Sequence, residues 1–182
     1  EVCVESQNEQ KHAIINNDTV KAAAQSKLIK YDKTGEEHYN IISAFIKSIR
    51  GSDPNAAVYW MTRMLEGGED PKFIARRLII SASEDIGNAN PTALVLAVNA
   101  FQSVQFVGLP ECAIILSQAT TYLASSPKSN ASYMALKNAQ QIIKETGPLE
   151  VPHALRNAQT KLMKSFNYGK GYKYAHDFPE NF

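Results

Sequence analysis

The sequence has few cysteines, no long apolar run and no leader segment, and each absence removes a class of protein. Among 182 residues only Cys3 and Cys112 carry a thiol, which is too few for a disulfide framework and fits a reducing cytosol. The longest apolar run, residues 93–98, is far shorter than the ~18 residues of a transmembrane helix, and no basic-then-apolar segment opens the chain. We therefore expect a cytoplasmic protein with no membrane partner.

Motifs of metal and nucleotide chemistry are missing as well. The histidines and cysteines show no ligand spacing, and no His-Glu-x-x-His occurs. The pair Gly169-Lys170 fails as a P-loop because Lys164 stands where the first glycine is needed and Gly171 stands where a Ser or Thr must hold magnesium. The sequence thus predicts no metal, no cofactor and no catalytic residue in this chain.

An excess of charge of one sign is also absent. The formal net charge is +1, so the whole-molecule field favours neither nucleic acid nor an acidic partner. The chain opens on Glu1 rather than Met, and we expect it to be a piece of a longer protein. At this length it can bury one good core, or one domain and part of another.

What the sequence does have is a clear set of residues that begin and end helices. Asp53 can cap a helix whose first position is Pro54 and whose end is Gly67, and Asp70 with Pro71 opens the next helix in the same way. Two capped helices joined by a few residues predict an antiparallel hairpin. The first helix repeats apolar side chains at helical spacing, at Ala57, Trp60, Met61, Met64 and Leu65.

The rest of the chain indicates further helices and no strand. Helical periodicity with turn residues between predicts helices over 19–28, 36–50, 91–106, 110–124 and 130–145. From Val151 onward, prolines, glycines and tyrosines break the chain into short segments. The predicted class is all-α, a bundle of antiparallel helix hairpins with an irregular C-terminal tail. A linker at Tyr31–Gly35 is predicted to precede the bundle.

The predicted helix over 91–106 is apolar almost all round. A helix that is apolar on every face is expected to be buried on every face, which requires a central position or a partner subunit. The helix that follows is broadly apolar too. The candidate oligomer interface is therefore formed by Leu94, Val98, Phe101, Ile115 and Tyr122.

The tail is the second candidate surface, because cationic side chains and tyrosines alternate between Val151 and Asp177. Lysines neutralise phosphates and tyrosines offer bases a stacking surface, which is typical of sequence-tolerant single-strand binding. The alternative is that the tyrosines pack the tail onto the helices and the lysines are solvated. The candidate DNA-binding residues are Arg156, Lys161, Lys164, Lys170, Tyr172 and Lys173.

Glu84 and Asp85 form an adjacent carboxylate pair. Neighbouring helix positions point ~100° apart, so the two are not expected to share one site. We expect one of them to pair with Arg50, Arg76 or Arg77 and the other to be solvated.

A run of motifs carries a family resemblance over roughly Tyr31 to Asp177. In chain order the motifs are Arg50-Gly-Ser-Asp-Pro-Asn-Ala-Ala-Val-Tyr-Trp60, Glu66-Gly-Gly-Glu-Asp-Pro71, Ala75-Arg-Arg77, Ala82-Ser-Glu-Asp-Ile-Gly87, Tyr122-Leu-Ala-Ser-Ser-Pro-Lys-Ser-Asn130, Asn157-Ala-Gln-Thr-Lys-Leu-Met163 and Tyr172-Lys-Tyr-Ala-His-Asp177. Together they resemble the C-terminal region of the RarA/MgsA family, whose eukaryotic relatives are the Werner-helicase-interacting ATPases.

The resemblance implies a clamp-loader-like AAA+ ATPase that acts at stalled replication forks, in replication, repair and recombination. Residues 1–33 would be the end of the AAA+ lid region and a linker, and residues 34–182 a collar-like helical domain that assembles homotetramers. ATP and magnesium would bind an ATPase core upstream of this chain. The implied partners are further copies of the chain, single-stranded or fork DNA and single-stranded-DNA-binding protein, in a nucleoid-associated location. The alternative is a single-stranded-DNA-binding module that uses the tail.

Overall fold

A computed structural model describes residues 17–18 and 36–179, and in that part of the chain every regular element is a helix. The all-α prediction is confirmed, whereas the predicted helix over 19–28 and the linker after it lie outside the described residues. A π-helical turn at Ala82–Ile86 extends the third helix. The α-helices are α1 (Glu36–Arg50), α2 (Pro54–Glu66), α3 (Pro71–Ser81), α4 (Thr92–Val107), α5 (Cys112–Ser125), α6 (Ala131–Thr146) and α7 (Lys161–Ser165).

Local chemistry sets the ends of α2 and α3 as predicted. Asp53 Oδ1 accepts a hydrogen bond from Ala56 N at 2.9 Å, and Asp70 Oδ1 accepts one from Lys72 N at 2.9 Å. A proline follows each cap, where its missing N–H costs nothing. Gly87, with a φ of +49°, ends the π-helical turn that follows α3, and this backbone conformation favours glycine.

α5 is the centre of the first compact unit, residues 1–135. It contacts α1, α2, α3 and α4, and its Leu116 and Thr120 are buried. Thr120 Oγ1 lies 3.5 Å from Met61 Sδ of α2. The predicted hairpin of α2 with α3 is wrong: α2 packs on α1 and α5, and α3 packs on α4 and α5. Both helices turn their apolar stripes toward α5, so they make little contact with each other.

α1 is an integral part of this core. Its stripe of Ile41, Ile42, Phe45 and Ile49 is buried, as the periodicity predicted. At the start of the helix, His38 Nδ1 lies 3.3 Å from the carboxylate of Glu69, beyond the end of α2. α1 is thus fixed along its whole length to the helices that follow it.

α4 is not buried on every face, and this corrects the prediction made from its apolar sequence. Its buried side chains are mostly small, namely Ala93, Ala97 and Ala100, with Val104 continuing the same stripe. Small residues let the α4 backbone approach α3 and α5 closely, so the bulky side chains are left on the opposite side. The exposed large apolar residues of α4 are Leu94, Val95, Val98, Phe106 and Val107. A central position for α4 is therefore excluded within the described chain.

The second compact unit, residues 136–182, is built differently. No residue between 136 and 179 is fully buried. Local hydrogen bonds hold this unit: Gly169 N donates to His153 O at 2.8 Å, and Thr160 Oγ1 caps α7 by accepting from Met163 N at 3.2 Å. The predicted irregular tail of short segments is confirmed. None of the described helices combines the length and apolar character that crossing a bilayer requires.

Candidate functional site

The first candidate is the α4–α5 face, an exposed apolar surface on two helices that contain no charged residue. Neither α4 nor α5 contains a charged residue, although charged residues make up 20% of the chain. Phe106 is 85% exposed and Ile114 is 73% exposed. We define the α4–α5 face as the exposed large apolar side chains of these helices and their connection: Leu94, Val95, Val98, Phe106, Val107, Leu109 and Ile114.

The interface candidates chosen from the sequence divide into two groups. Leu94 and Val98 are exposed and belong to the α4–α5 face. Phe101, Ile115 and Tyr122 are partly buried and pack against the core. The Tyr122 hydroxyl accepts a hydrogen bond from the Asn90 side chain at 3.0 Å. This second group contributes to the fold more than to the exposed surface.

Two prominent members of the α4–α5 face, Phe106 and Ile114, were not among the sequence candidates. The signal that identifies the outward side of α4 was present in the sequence: Ala93, Ala97 and Ala100 recur at helical spacing. A stripe of small residues marks the side on which another helix approaches closely. The opposite side then carries the bulky residues.

An apolar groove lies between α2 and α5, beside part of the α4–α5 face. Met61 and Leu65 line it from α2, and Leu109, Ala113 and Ile114 line it from the start of α5. Its volume is about 680 Å³. The exposed apolar surface of the first unit therefore includes a concave part as well as protruding side chains.

In the tail, Arg156 is engaged by its own surroundings. Its guanidinium donates to Val151 O at 2.6 Å, to Glu150 Oε2 at 2.9 Å and to the Tyr168 hydroxyl at 3.1 Å. It also lies over the Tyr168 ring, 5.1 Å from the centroid. The bond to Tyr168 is the main cause that raises the pKa of Arg156. These contacts make Arg156 a residue that shapes the tail.

The other DNA-binding candidates are exposed. Two of the lysines lie on α7, and the remaining candidates follow it in the glycine-containing turns. A cleft of about 500 Å³ lies beside Tyr172 and is lined by the backbone around Arg156 and Gly169. The exposed candidates are Lys161, Lys164, Lys170, Tyr172 and Lys173, and their role in DNA binding stays a prediction.

A third candidate is the polar cleft, where the end of α1 meets the π-helical turn; its volume is about 510 Å³. Arg50 Nε donates to Asp85 Oδ1 at 2.5 Å, and Arg50 Nη2 lies 3.4 Å from Glu84 Oε1. The bond to Asp85 is the main cause that raises the pKa of Arg50. The predicted pairing of one carboxylate with Arg50 is confirmed for Asp85, whereas Glu84 is not simply solvated, because it lies near the same guanidinium. A π-helical turn is wider than an α-helical one, which reduces the angle between successive side chains.

Asp85 differs from Glu84 in its burial. The Asp85 residue is 6% exposed, and its Oδ2 atom has no hydrogen-bond partner among the described residues. Arg76 and Arg77 make no contact with it; they lie over the Phe73 ring at 5.9 and 5.0 Å from its centroid. An unpaired buried carboxylate oxygen is costly, so this atom is the most unusual feature of the cleft.

Lys128 borders the polar cleft and ties two helix ends together. Its ammonium group donates to Ser52 Oγ at 3.0 Å, to Ala124 O at 2.9 Å and to Ser126 O at 2.6 Å. The carbonyl oxygens at the end of α5 carry a partial negative charge that suits a cation. Burial lowers the pKa of Lys128, while the charge of Asp85 raises it to a smaller extent.

The backbone at this cleft is tightly packed. Ser129 N donates to Asp85 O at 2.8 Å, and a Cβ on Gly87 would lie 2.9 Å from Ser129 O. Only glycine fits that approach without a shift of the backbone. The loop before α6 is therefore fixed against the π-helical turn.

Within the described ranges, no group of three His, Cys, Asp or Glu side chains is arranged to hold a metal ion. Cys112 is buried in the core, and burial raises the pKa of its thiol. It packs in the core as a small apolar side chain.

Two family models match the chain in succession. A model described as the AAA C-terminal domain matches residues 1–50, and a model described as the MgsA AAA+ ATPase C terminal matches residues 51–182. The border between the two matches falls at the end of α1. The hydrophobic core extends across that border, because Phe45 and Ile49 of α1 are buried with the helices of the second match.

Curated relatives agree with these models. The chain is 52% identical over 155 residues to "Replication-associated recombination protein A" of Coxiella burnetii, which covers 85% of this chain and 35% of the relative. It is 45% identical over 165 residues to the protein of the same name in Haemophilus influenzae, with 91% and 37% covered. It is also 48% identical over 151 residues to "ATPase WRNIP1" of Dictyostelium discoideum, with 82% and 17% covered. The chain thus spans about a third of the bacterial relatives.

Proposed function

The chain belongs to the MgsA family of AAA+ ATPases as their C-terminal region, and from this premise we propose that it is the domain through which the parent ATPase assembles into homotetramers. In this proposal the domain forms a collar and carries no catalysis. ATP and magnesium bind the ATPase core upstream, and the parent protein acts on single-stranded or fork DNA in replication-fork maintenance and recombination. Single-stranded-DNA-binding protein and a nucleoid-associated location in the cytoplasm belong to the same proposal.

The observation that carries the proposal is the α4–α5 face. Burying a large apolar side chain stabilises an assembly by roughly 1.5–3 kcal/mol relative to leaving it exposed. The side chains of Phe106 and Ile114, exposed by 85% and 73%, have most of that free energy still to gain. In a single copy this surface remains in contact with water.

Charge favours a second copy as the partner of this face. The cores of protein interfaces are depleted of charged residues, and α4 and α5 contain none. A second copy brings the same two uncharged helices, so few charges lose their hydration on association; Glu111, in the connection between the helices, is an exposed charge beside them. A partner with an acidic or basic surface would bury charges without a counter-ion.

The test is the solution mass of the chain by light scattering, across a tenfold range of concentration at low and high salt. We expect a tetramer that tolerates high salt, because apolar contacts are not screened. Val95→Glu should shift the mass toward the monomer, whereas Val151→Glu, at another exposed valine, should leave it unchanged. A monomeric mass for the unaltered chain at micromolar concentration and low salt would contradict the proposal.

A second candidate function is single-stranded-DNA binding by the tail, and the exposure of its four lysines beside Tyr172 favours it. Binding to an oligothymidine should weaken steeply with salt, because released counterions drive it. Lys170→Ala with Lys173→Ala should lower the affinity, and Lys47→Ala with Lys72→Ala is the matched control. An affinity that the tail substitutions leave unchanged would remove this candidate.

A further inference from the structure

We infer that the polar cleft at the end of α1 binds an unpaired nucleobase through its amino group, with guanine the preferred base. The inference rests on the proposed role of the parent ATPase on DNA, and it names a contact that neither the α4–α5 face nor the tail supplies. Asp85 Oδ2, which is buried and has no partner among the described residues, is the observation that points to a ligand.

Of the two cations of the cleft, Lys128 is fully engaged and Arg50 is partly engaged. The three donors of the Lys128 ammonium group go to Ser52 Oγ, Ala124 O and Ser126 O. Arg50 directs its Nε toward Asp85 and its Nη2 toward Glu84. The donors of Lys128 are therefore used, whereas Arg50 keeps three N–H groups, two on Nη1 and one on Nη2.

The carboxylates, in contrast, retain acceptor capacity. Asp85 Oδ2 accepts no hydrogen bond from any described residue. Glu84 is held only at 3.4 Å from the Arg50 guanidinium, and about a third of its side chain is exposed. A separation of 3.4 Å is long for a charge-assisted hydrogen bond. Glu84 is thus the part of the rim that can turn aside and open access to Asp85.

Charge selects the class of ligand. The formal charges of Arg50 and Lys128 balance those of Glu84 and Asp85. An anion would meet two carboxylates and an ammonium group whose donors are already used, and a cation would gain little from a balanced site. A neutral N–H donor leaves the balance intact and gains a hydrogen bond to a charged acceptor, which is stronger than one to a neutral acceptor.

Size and shape favour a nucleobase among neutral donors. The cleft, at about 510 Å³, falls within the usual range for small-molecule sites. The flat side chains of Arg50 and Tyr133 both line it, and flat groups suit a planar ring. Guanine presents a ring N–H and an amino group side by side, so its amino group can donate to Asp85 Oδ2 while the ring N–H donates to the neighbouring Glu84 carboxylate. Thymine lacks an amino group, so it is the natural control ligand.

The experiment is a titration of the isotope-labelled chain with deoxyguanosine and, separately, with thymidine, followed by amide chemical shifts. We expect deoxyguanosine to shift the amides of Gly87, Ser129 and Asn130, with a Kd about tenfold or more below that of thymidine. Free nucleosides carry no phosphate and need no assembly. The result is therefore independent of the tail and of the oligomeric state.

Variants identify the acceptor. Asp85→Asn should abolish the preference for deoxyguanosine, because the amide at that position offers a donor beside the remaining oxygen. Asp177→Asn, the same change at an exposed aspartate, should keep it. Where Asp85→Asn fails to fold by circular dichroism, Glu84→Gln against Glu111→Gln repeats the comparison on the rim. In either case, the amides of the unaltered chain whose chemical shifts change show where the nucleoside binds.

Two results would overturn the inference. One is that no nucleoside, at millimolar concentration, shifts the amides around the cleft. The other is that N-methylacetamide, a mimic of the peptide bond, shifts them as strongly as deoxyguanosine, which would assign the cleft to a protein partner. If light scattering still finds a tetramer, the proposed assembly function stands while this inference falls.

Discussion

The two compact units of the chain, residues 1–135 and residues 136–182, differ in what holds them together. In the first, the described residues pack a core in which Phe45, Met64 and Leu116 are fully buried. In the second, no residue from 136 to 179 is buried, and side-chain and backbone hydrogen bonds fix the turns. The comparison teaches that one sequence joins a unit stabilised by apolar burial to a unit stabilised by local bonds.

That difference affects how each unit can function. A packed core fixes side chains in one arrangement, as the polar cleft and the α4–α5 face both require. A unit without a core opens at low cost in free energy, and a partner that binds it can supply part of the missing burial. Four pairs of substitutions test this comparison of the two units, and each pair places one substitution in the first unit and one in the second. Trp60 is the single tryptophan of the chain, so its fluorescence during urea denaturation reports on the first unit.

The largest effect is expected at the centre of the core. Phe45→Ala removes a fully buried ring, and we expect it to lower the free energy of unfolding by about 3–5 kcal/mol. Phe166→Ala, at an exposed phenylalanine of the second unit, should change it by less than about 0.5 kcal/mol. Equal effects at the two positions would mean that the units share one core.

The next pair compares glycines with positive φ. Gly87→Ala combines a strained backbone at φ +49° with a contact of 2.9 Å to Ser129 O, so we expect a loss of about 2–4 kcal/mol. Gly171, at φ +83°, has no heavy atom within 4 Å of an added Cβ. Gly171→Ala should therefore leave the Trp60 transition unchanged. A harmless Gly87→Ala would show that the loop before α6 is free to move.

A third pair compares the two arginines that hold carboxylates. Arg50→Met leaves the buried Asp85 charge without its partner, and we expect a loss of about 1–3 kcal/mol, reduced from the fully buried case because Arg50 is half-exposed. Arg156→Met loses a pair with the almost fully exposed Glu150, and such exposed pairs contribute little to stability, so the Trp60 transition should stay unchanged. A loss in Arg50→Met no larger than that in Arg156→Met would contradict the assignment.

The smallest effect concerns the helix caps. Asp53→Ala removes the side chain that caps the thirteen-residue α2, and a loss of about 1 kcal/mol is expected. Thr160→Ala removes the cap of α7, which has five residues and is too short to be stable alone. The Trp60 transition should not register that change. A measurable effect of Thr160→Ala on this transition would show that the second unit unfolds together with the first.

The sequence located most helices of the described chain correctly because the signals are local. A capping carboxylate, a proline at the first position and a terminal glycine act on residues within one helical turn of themselves. The predicted pairing of α2 with α3 failed because it used the length of their connection alone. The apolar side of each helix was predicted correctly. The surface on which both helices pack is provided by α5, some forty residues further along the chain.

For the candidate surfaces too, the sequence predicted local features correctly and failed where the packing of distant helices decides. The apolar character of α4 and α5 on almost every face was visible in the sequence and led to the prediction of an oligomer interface, which stays a proposal. Which of their residues are exposed was not visible in hydrophobicity alone, so Phe106 and Ile114 were missed and Phe101 was included. Arg156 was chosen for its charge, and its engagement by Tyr168 depends on how the tail turns back on itself.

By itself the sequence determined the all-α class, the ends of α2 and α3, the uncharged character of α4 and α5, and the family to which the chain belongs. The tertiary structure decided which side of α4 faces the core, because close packing selects small residues rather than the most apolar ones. It also decided that Arg50 meets Glu84 and Asp85, residues 34 and 35 positions away. Contacts over that distance depend on how the helices pack, and no local pattern specifies them.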